Sequence, residues 1–292
     1  MKFPLLTKPL QTYEYYFSLL LNRKYPAWFE KHPVKSGINT KPRCEKVTVS
    51  LTTFPTRINH VHLAIETLMR QKYKPDRIVL WLAESQFPGR KLPEKLTALQ
   101  DRGLTIRFCE DLRSHKKYHY AFREYPEDHI ILADDDLMYP RDTVKRLVKL
   151  HRKHPEDIVC MSAQIIAPAM HSLPSVWPVP TPGKRYVSCW EAQAFTGAGT
   201  LFPAGWHIPE VFDRERAMQL AATADDLWLK AMSLSAGVRT TLHHPPRRFP
   251  VEVQIPCNVT LYHENQAAGA NCNDKAWKAL VDEYGADWSG QT

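Results

Sequence analysis

From Lys46 onward the apolar positions of the chain follow two alternating rhythms. Short runs rich in β-branched residues have the length and composition of strands buried on both faces: VTVSL (47–51), RIVLWL (77–82), LTIRF (104–108), Ile130 to Ala133 and IVCMSA (158–163). Between them, apolar residues recurring every ~3.6 positions predict helices. These cover Ile58 to Gln71, Pro93 to Asp101 with Gly103 as the stop, His115 to Glu124, and VKRLVKLHRKH after Asp142, a residue suited to an N-cap. Such alternation predicts an α/β protein with a mostly parallel sheet and helices on both faces. From 164 to 200 the stretch is rich in Pro and poor in helical period, which predicts an irregular excursion. There is no internal repeat and no low-complexity tract.

The run at 130–133 ends in three consecutive acids, Asp134, Asp135 and Asp136, and Pro140 and Asp142 then place them on a strand-to-helix turn. Adjacent like charges need a divalent cation or a cluster of bases to meet them, and the carboxyl ends of strands in open α/β sheets are where ligands bind. A solvated turn capping the next helix is the plainer alternative. Four other stretches carry candidate chemistry. TTFPTR, after the first strand, offers Thr53 and Arg57 at the same sheet edge, and SHKKYHY supplies Lys116 and Lys117, whose ammonium groups can neutralise phosphate. FTGAGT carries Gly197 and Gly199, a pair that allows close backbone approach to a ligand or positive φ. In AATADDLWLKAMSL, Asp225 and Asp226 open an amphipathic helix, where capping and the helix dipole by themselves favour acids. Singly, each has a bland reading as a capped turn, a wet helix face or a helix start.

Composition narrows the classes. At 292 residues and 43% hydrophobic content the chain can bury a large core. No stretch reaches the roughly 18 apolar residues of a membrane span, and the N-terminus lacks a signal-peptide core, so the chain is expected to stay cytoplasmic. Six cysteines without a C-x-x-C pair read as reduced and structural. Net charge is +8, and residues 1–46 hold nine Lys or Arg against three Glu. Interleaved aromatics make this segment, 1–45, fit either an anionic membrane surface or simple packing on the domain. Nucleic acid is not expected, because no recognised binding pattern accompanies the charge.

A hydrophobic strand ending in D-x-D resembles the motif of glycosyltransferases with the GT-A fold. The similarity extends over residues 47 to 274. It is closest to bacterial transferases of surface-polysaccharide synthesis that share S-L-T-T-F-P-x-R-I (Ser50 to Ile58), the D-D-D strand and A-D-D-x-W-L (Ala224 to Leu229). The resemblance implies a Mn2+ or Mg2+ ion held by Asp134 and Asp136, with a C-terminal histidine, His263, as a further ligand and His243 and His244 as runners-up. It also implies a nucleotide-diphosphate sugar, expected to be UDP-linked, bound by Thr53, Arg57, Lys116, Lys117, Asp134, Asp135, Gly197 and Gly199. Asp226 would then be the base that deprotonates the acceptor hydroxyl, with Asp225 orienting the acceptor. The two roles are exchangeable, since A-D-D stands where E-D is commoner. Trp177 and Trp190 can stack on the sugar of a glycan or lipid-linked glycan acceptor.

The expectation is a GT-A-like domain over 46–292, its nucleotide half at 46–163 and its acceptor half at 164–292, catalysing inverting, metal-dependent transfer of galactose or galactofuranose. Alternatives are a metal-dependent nucleotidyltransferase or phosphohydrolase, or a nucleotide-sugar-binding protein without turnover. The lack of glycine in TTFPTR argues against the nucleotidyltransferase.

Overall fold

A computed structural model describes residues 8–181, 183–243, 250–254 and 272–288. Five of the predicted strands form the expected sheet. β1 (Val47–Thr52), β2 (Arg77–Ala83), β3 (Leu104–Cys109) and β4 (His129–Leu132) lie parallel, β1 between β2 and β4, with β3 beyond β2. β6 (Ile158–Cys160) and β10 (Thr240–Leu242) are a second parallel pair. Between the two groups sits β9 (Thr200–Phe202), antiparallel to both β4 and β6, which completes the order β10-β6-β9-β4-β1-β2-β3.

The alternation of side chains along each strand assigns the two faces. Val79, Trp81, Ile130 and Leu132 point to a core shared with α4 (Lys116–Glu124), α6 (Arg214–Ala221), α7 (Asp225–Ser235) and α8 (Cys272–Tyr284). Ile78, Leu80, Leu82 and Ile131 point to the opposite core, built with α2 (Val61–Met69), α3 (Glu94–Thr97) and α5 (Thr143–His151). Continuous apolar strands are therefore explained by burial on both sides, as the sequence pattern implied.

Three elements differ from expectation. The helix expected from Ile58 is shorter, because residues 54–60 form turns that deliver Arg57 to the sheet edge before α2 begins. The IVCMSA run breaks after Cys160, where the register with β9 ends at Thr200. The chain then leaves the sheet, and Ala163–Ile165 (β7) pairs antiparallel with Ala192–Ala194 (β8), so the excursion expected from 164 is partly ordered as a ribbon. Finally, the basic N-terminal segment is a helix, α1 (Lys8–Lys31). Leu21, Tyr25 and Phe29 pack it against Leu63, Met138, Val251 and Val253, while Tyr15, Tyr16, Leu20 and Trp28 stay exposed. Asn22 also bonds the backbone of β11 (Val251–Glu252), which pairs with β5 (Leu137–Met138) directly after the acid triplet.

Among the described residues no helix is long and apolar enough to cross a membrane, and Cys44, Cys109, Cys160, Cys189 and Cys272 are free thiols.

Candidate active site

The acids lie where β4 runs out at the carboxyl edge of the sheet, beside the end of β1. Asp135 is 7% exposed and fully engaged: Arg57 Nη1 donates to it at 2.7 Å, and the Thr53 hydroxyl donates to its other oxygen. It anchors the turn after β1 to the end of β4. Asp136, 26% exposed, also meets Arg57, at 2.9 Å, and Asp134 keeps 41% of its side chain accessible.

On the other side, Asp225 and Asp226 form the first turn of α7, a favourable end for negative charge. They do not serve it as caps, since the N-cap position is Ala224 and no side chain caps it. Asp226 instead accepts from the Thr196 backbone N–H at 3.1 Å and from the Thr196 hydroxyl, which ties α7 to the glycine loop. Lys117 joins the halves: its ammonium lies 2.8 Å from Asp134 and 3.0 Å from Asp225.

Gly197 is required by the same packing, because a Cβ there would lie 1.7 Å from Asp134 Oδ2. Tyr139 fixes the spacing: its hydroxyl accepts from Asp134 N–H at 2.7 Å and donates to Gly197 O at 2.5 Å. Gly199 has φ +104°, which turns the chain into β9.

Five carboxylates, those of Asp134, Asp135, Asp136, Asp225 and Asp226, are thus linked by ion pairs or electrostatic contact to two cations, Arg57 and Lys117, and the Glu252 charge adds to them beside Asp136. The imbalance shows in their proton affinities. Burial and the Asp134 and Asp135 charges push Asp136 up to about 7. Burial and the Asp225 charge push Asp226 up to about 7 as well. Burial works against ionisation of Asp225 too, but Lys117 and His115 outweigh it and hold that carboxyl below the usual range. Burial likewise opposes the Lys117 charge, yet Asp134, Asp225 and Asp226 keep it firmly protonated. The acid pair is therefore split into one ionised member and one that titrates near neutrality, as a proton acceptor requires.

An all-oxygen donor set with excess negative charge fits Mn2+ or Mg2+. Asp134 and Asp136 have accessible oxygens to give such an ion; Asp135 does not.

Lys116 is not brought to the site: 2% exposed, it pairs with Asp111 at 2.6 Å. Trp177 is also elsewhere, 5% exposed, edge-on to Trp277 at 5.1 Å, with its indole N–H bonded to Ser172 O. Trp190 packs on that same core beneath the Arg239 guanidinium. The backbone N–H of His243 extends the β6–β10 edge by bonding Cys160 O, while His244 and His263 lie outside the described residues.

Four residues were not anticipated from the sequence. Thr196 and Tyr139 sit beside motifs that were, and only their hydroxyl partners reveal their work. Glu252 reaches the triplet through the β5–β11 pairing, which no local pattern announces. Lys230, one turn beyond Asp226, lines a cavity with Thr196, Asp226, Ser233 and Thr240. Its buried amine has no hydrogen-bond partner among the described residues, and burial lowers it to about 8.

The chain matches the model of Glycosyl transferase family 2 over residues 57–204. Similar solved structures include S. aureus TarS 1-349 in complex with UDP, at 10% identity and TM-score 0.46, over 70% of this chain and 59% of that one. A mannosyltransferase, PcManGT from Pyrobaculum calidifontis, in complex with GDP-Man and Mn2+, is 16% identical with TM-score 0.47, over 96% of this chain and 82% of that one. A 4-diphosphocytidyl-2C-methyl-D-erythritol synthase gives 14% and 0.44, over 74% and 96%. The chain thus spans about three fifths of the length of the TarS chain it matches. No curated protein matches it in sequence.

The raised affinity of Asp226 for its proton has a stability consequence. Its carboxyl moves from about 4 in the unfolded chain to about 7 on folding. The folded state then binds the proton more tightly, and this contribution to stability is lost as pH rises through that window. Asp226→Asn, which can still accept from Thr196, should therefore be more stable than the parent at pH 8, by on the order of 2 kcal/mol. The gap should shrink towards pH 5. Urea midpoints at the two pH values measure it, and an equal or lower midpoint for the variant at pH 8 would contradict the assignment.

Proposed function

The chain belongs to glycosyl transferase family 2 and has the GT-A fold, and we propose that it is a glycosyltransferase performing metal-dependent, inverting transfer of a hexose from a UDP-sugar to a glycan or glycolipid. Galactose or galactofuranose as the sugar and a cell-surface polysaccharide as the product are part of the same proposal. The family match supports glycosyl transfer over the nucleotidyltransferase, phosphohydrolase and binding-only readings.

The observation that carries the mechanism is the split acid pair at the start of α7, joined through Lys117 to Asp134. In the proposed step, Asp226 takes the proton of the acceptor hydroxyl as that oxygen bonds to C1 of the donor sugar. The bond from C1 to the diphosphate oxygen breaks, and the nucleoside diphosphate leaves with the electron pair. Thr196 holds the Asp226 carboxylate in position, and Asp225 keeps Lys117 in place and orients the acceptor. The ion proposed at Asp134 and Asp136 would supply positive charge to the diphosphate when bound. Arg57 and Thr53 position the donor by fixing Asp135, and the glycine loop, through Gly197, lets the Asp134 carboxylate approach the backbone beside the proposed donor site. Residues 46–163 then form the donor half and 164–292 the acceptor half.

A cytoplasmic site of action and peripheral attachment to an anionic membrane belong to this reading. The attachment is supported by the exposed Tyr15, Tyr16, Leu20 and Trp28 on α1, among basic residues. Trp28→Ala combined with Lys24→Glu should release the protein from vesicles containing phosphatidylserine, since each basic residue near such a surface contributes about 1 kcal/mol. Full-length protein that ignores those vesicles at low salt would refute attachment.

For the base, Asp226→Asn should lower kcat by roughly a hundredfold or more with little change in donor affinity. The parent rate should fall as pH drops below about 7, where Asp226 becomes protonated. Product of retained anomeric configuration would exclude this role. For the metal, Asp136→Asn or excess EDTA should abolish turnover while leaving the fold intact, and undiminished transfer in EDTA would remove the ion from the mechanism.

A further inference from the structure

At the opposite, amino-terminal edge of the sheet lies a second group of ligand-bearing side chains that the transfer reaction does not use. Glu45 precedes β1, His129 opens β4 and His151 ends α5. Each offers one donor atom, and the three atoms all lie within 4.8 Å of one another. His129 is five residues upstream of Asp134 along β4, roughly 17 Å at the rise of a strand, so the group is separate from the acid cluster.

Three observations point to a cation. First, Glu45 Oε1 and His129 Nε2 are 3.7 Å apart, too long for a hydrogen bond. That separation suits two donors on one ion at about 2 Å each. Second, His151 is 5% exposed and its Nδ1 is buried without a hydrogen-bond partner among the described residues. Third, Arg152 takes Glu45 Oε2 at 2.6 Å, which orients the carboxylate and leaves Oε1 towards the rings. The two imidazoles lie with centroids 4.2 Å apart. Burial keeps both in the neutral form that a metal binds, with His151 lowered to about 4.

We propose that Glu45, His129 and His151 form a binding site for a borderline-soft divalent ion of the zinc type, tying the strand edge, the end of α5 and the segment entering β1 together. Two imidazoles and one carboxylate suit zinc, whereas the all-oxygen set at the other edge suits manganese or magnesium. The partial exposure of Glu45 and His129, 24% and 18% of their side chains, leaves room for a water as fourth ligand. One hydrogen bond changes on loading. His129 Nδ1 accepts from the Ala204 N–H at 3.1 Å, which puts the neutral ring's proton on Nε2. Coordination through Nε2 moves that proton to Nδ1, and the Ala204 amide loses its acceptor.

The test uses full-length protein carrying Asp134→Asn and Asp136→Asn, so that the oxygen-rich cluster cannot report. Cobalt(II) is titrated as a spectroscopic stand-in, followed by zinc. One equivalent of cobalt should develop visible absorption of the tetrahedral type, zinc should displace it and raise the melting temperature, and the Ala204 amide resonance should shift. On that background Glu45→Gln, which keeps shape and burial, should weaken cobalt binding at least tenfold, and His151→Ala should abolish the absorption. Absence of cobalt absorption in the parent, or absorption undiminished in Glu45→Gln, would overturn the proposal. Because the acid cluster is disabled throughout, neither outcome depends on the transfer mechanism.

Discussion

The buried ammonium of Lys117 is the interaction on which the rest of the site depends. It rises from α4, beneath the sheet edge, and is shared by Asp134 at the end of β4 and Asp225 at the start of α7. A lysine with 4% exposure is tolerable only when paired. Conversely, two carboxylates from separate halves of the chain could not approach one another without it. The Lys117 pairs and the Thr196 bond to Asp226 hold the glycine loop between the two acid groups.

Around that cation the acids divide their work by environment and not by residue type. Asp135 and Asp225 are matched, the first by Arg57 and Thr53 and the second by Lys117. Asp136 and Asp226 are the surplus, and both are pushed up to about 7. Unmatched buried charge costs stability, and such costs concentrate where a ligand or a proton is to be received. The excess negative charge is what the proposed divalent ion would relieve.

The sheet polarises the molecule as well. Its carboxyl edge carries the acids, and its amino edge carries the Glu45–His129–His151 group. α1 is coupled to the reactive edge through β11, since Asn22 bonds the segment that brings Glu252 towards Asp136. A helix that presents exposed aromatics on one face therefore bonds, on the other, the strand that carries Glu252.

Much of this was readable in the sequence, for local physical reasons. Short β-branched runs alternating with helical periods determined a parallel sheet covered on both faces. Consecutive acids after an apolar strand marked the sheet edge, and the D-D pair marked a helix start. These are properties of neighbouring residues, so periodicity and charge spacing report them. Other features depend on which segments meet in space. Lys116 and Lys117 are adjacent and alike, yet helix rotation sends one to Asp111 and the other into the site. Trp177, a plausible sugar platform by composition, is claimed by Trp277 from a helix a hundred residues on. The reversal of β9, the reach of Glu252 and the two-sided role of Thr196 are likewise long-range pairings. The sequence alone thus determined the architecture and the kind of chemistry, because both are written in local pattern. The tertiary structure decided which carboxylates are neutralised and which are left to titrate, because burial and charge pairing exist only once distant segments have packed.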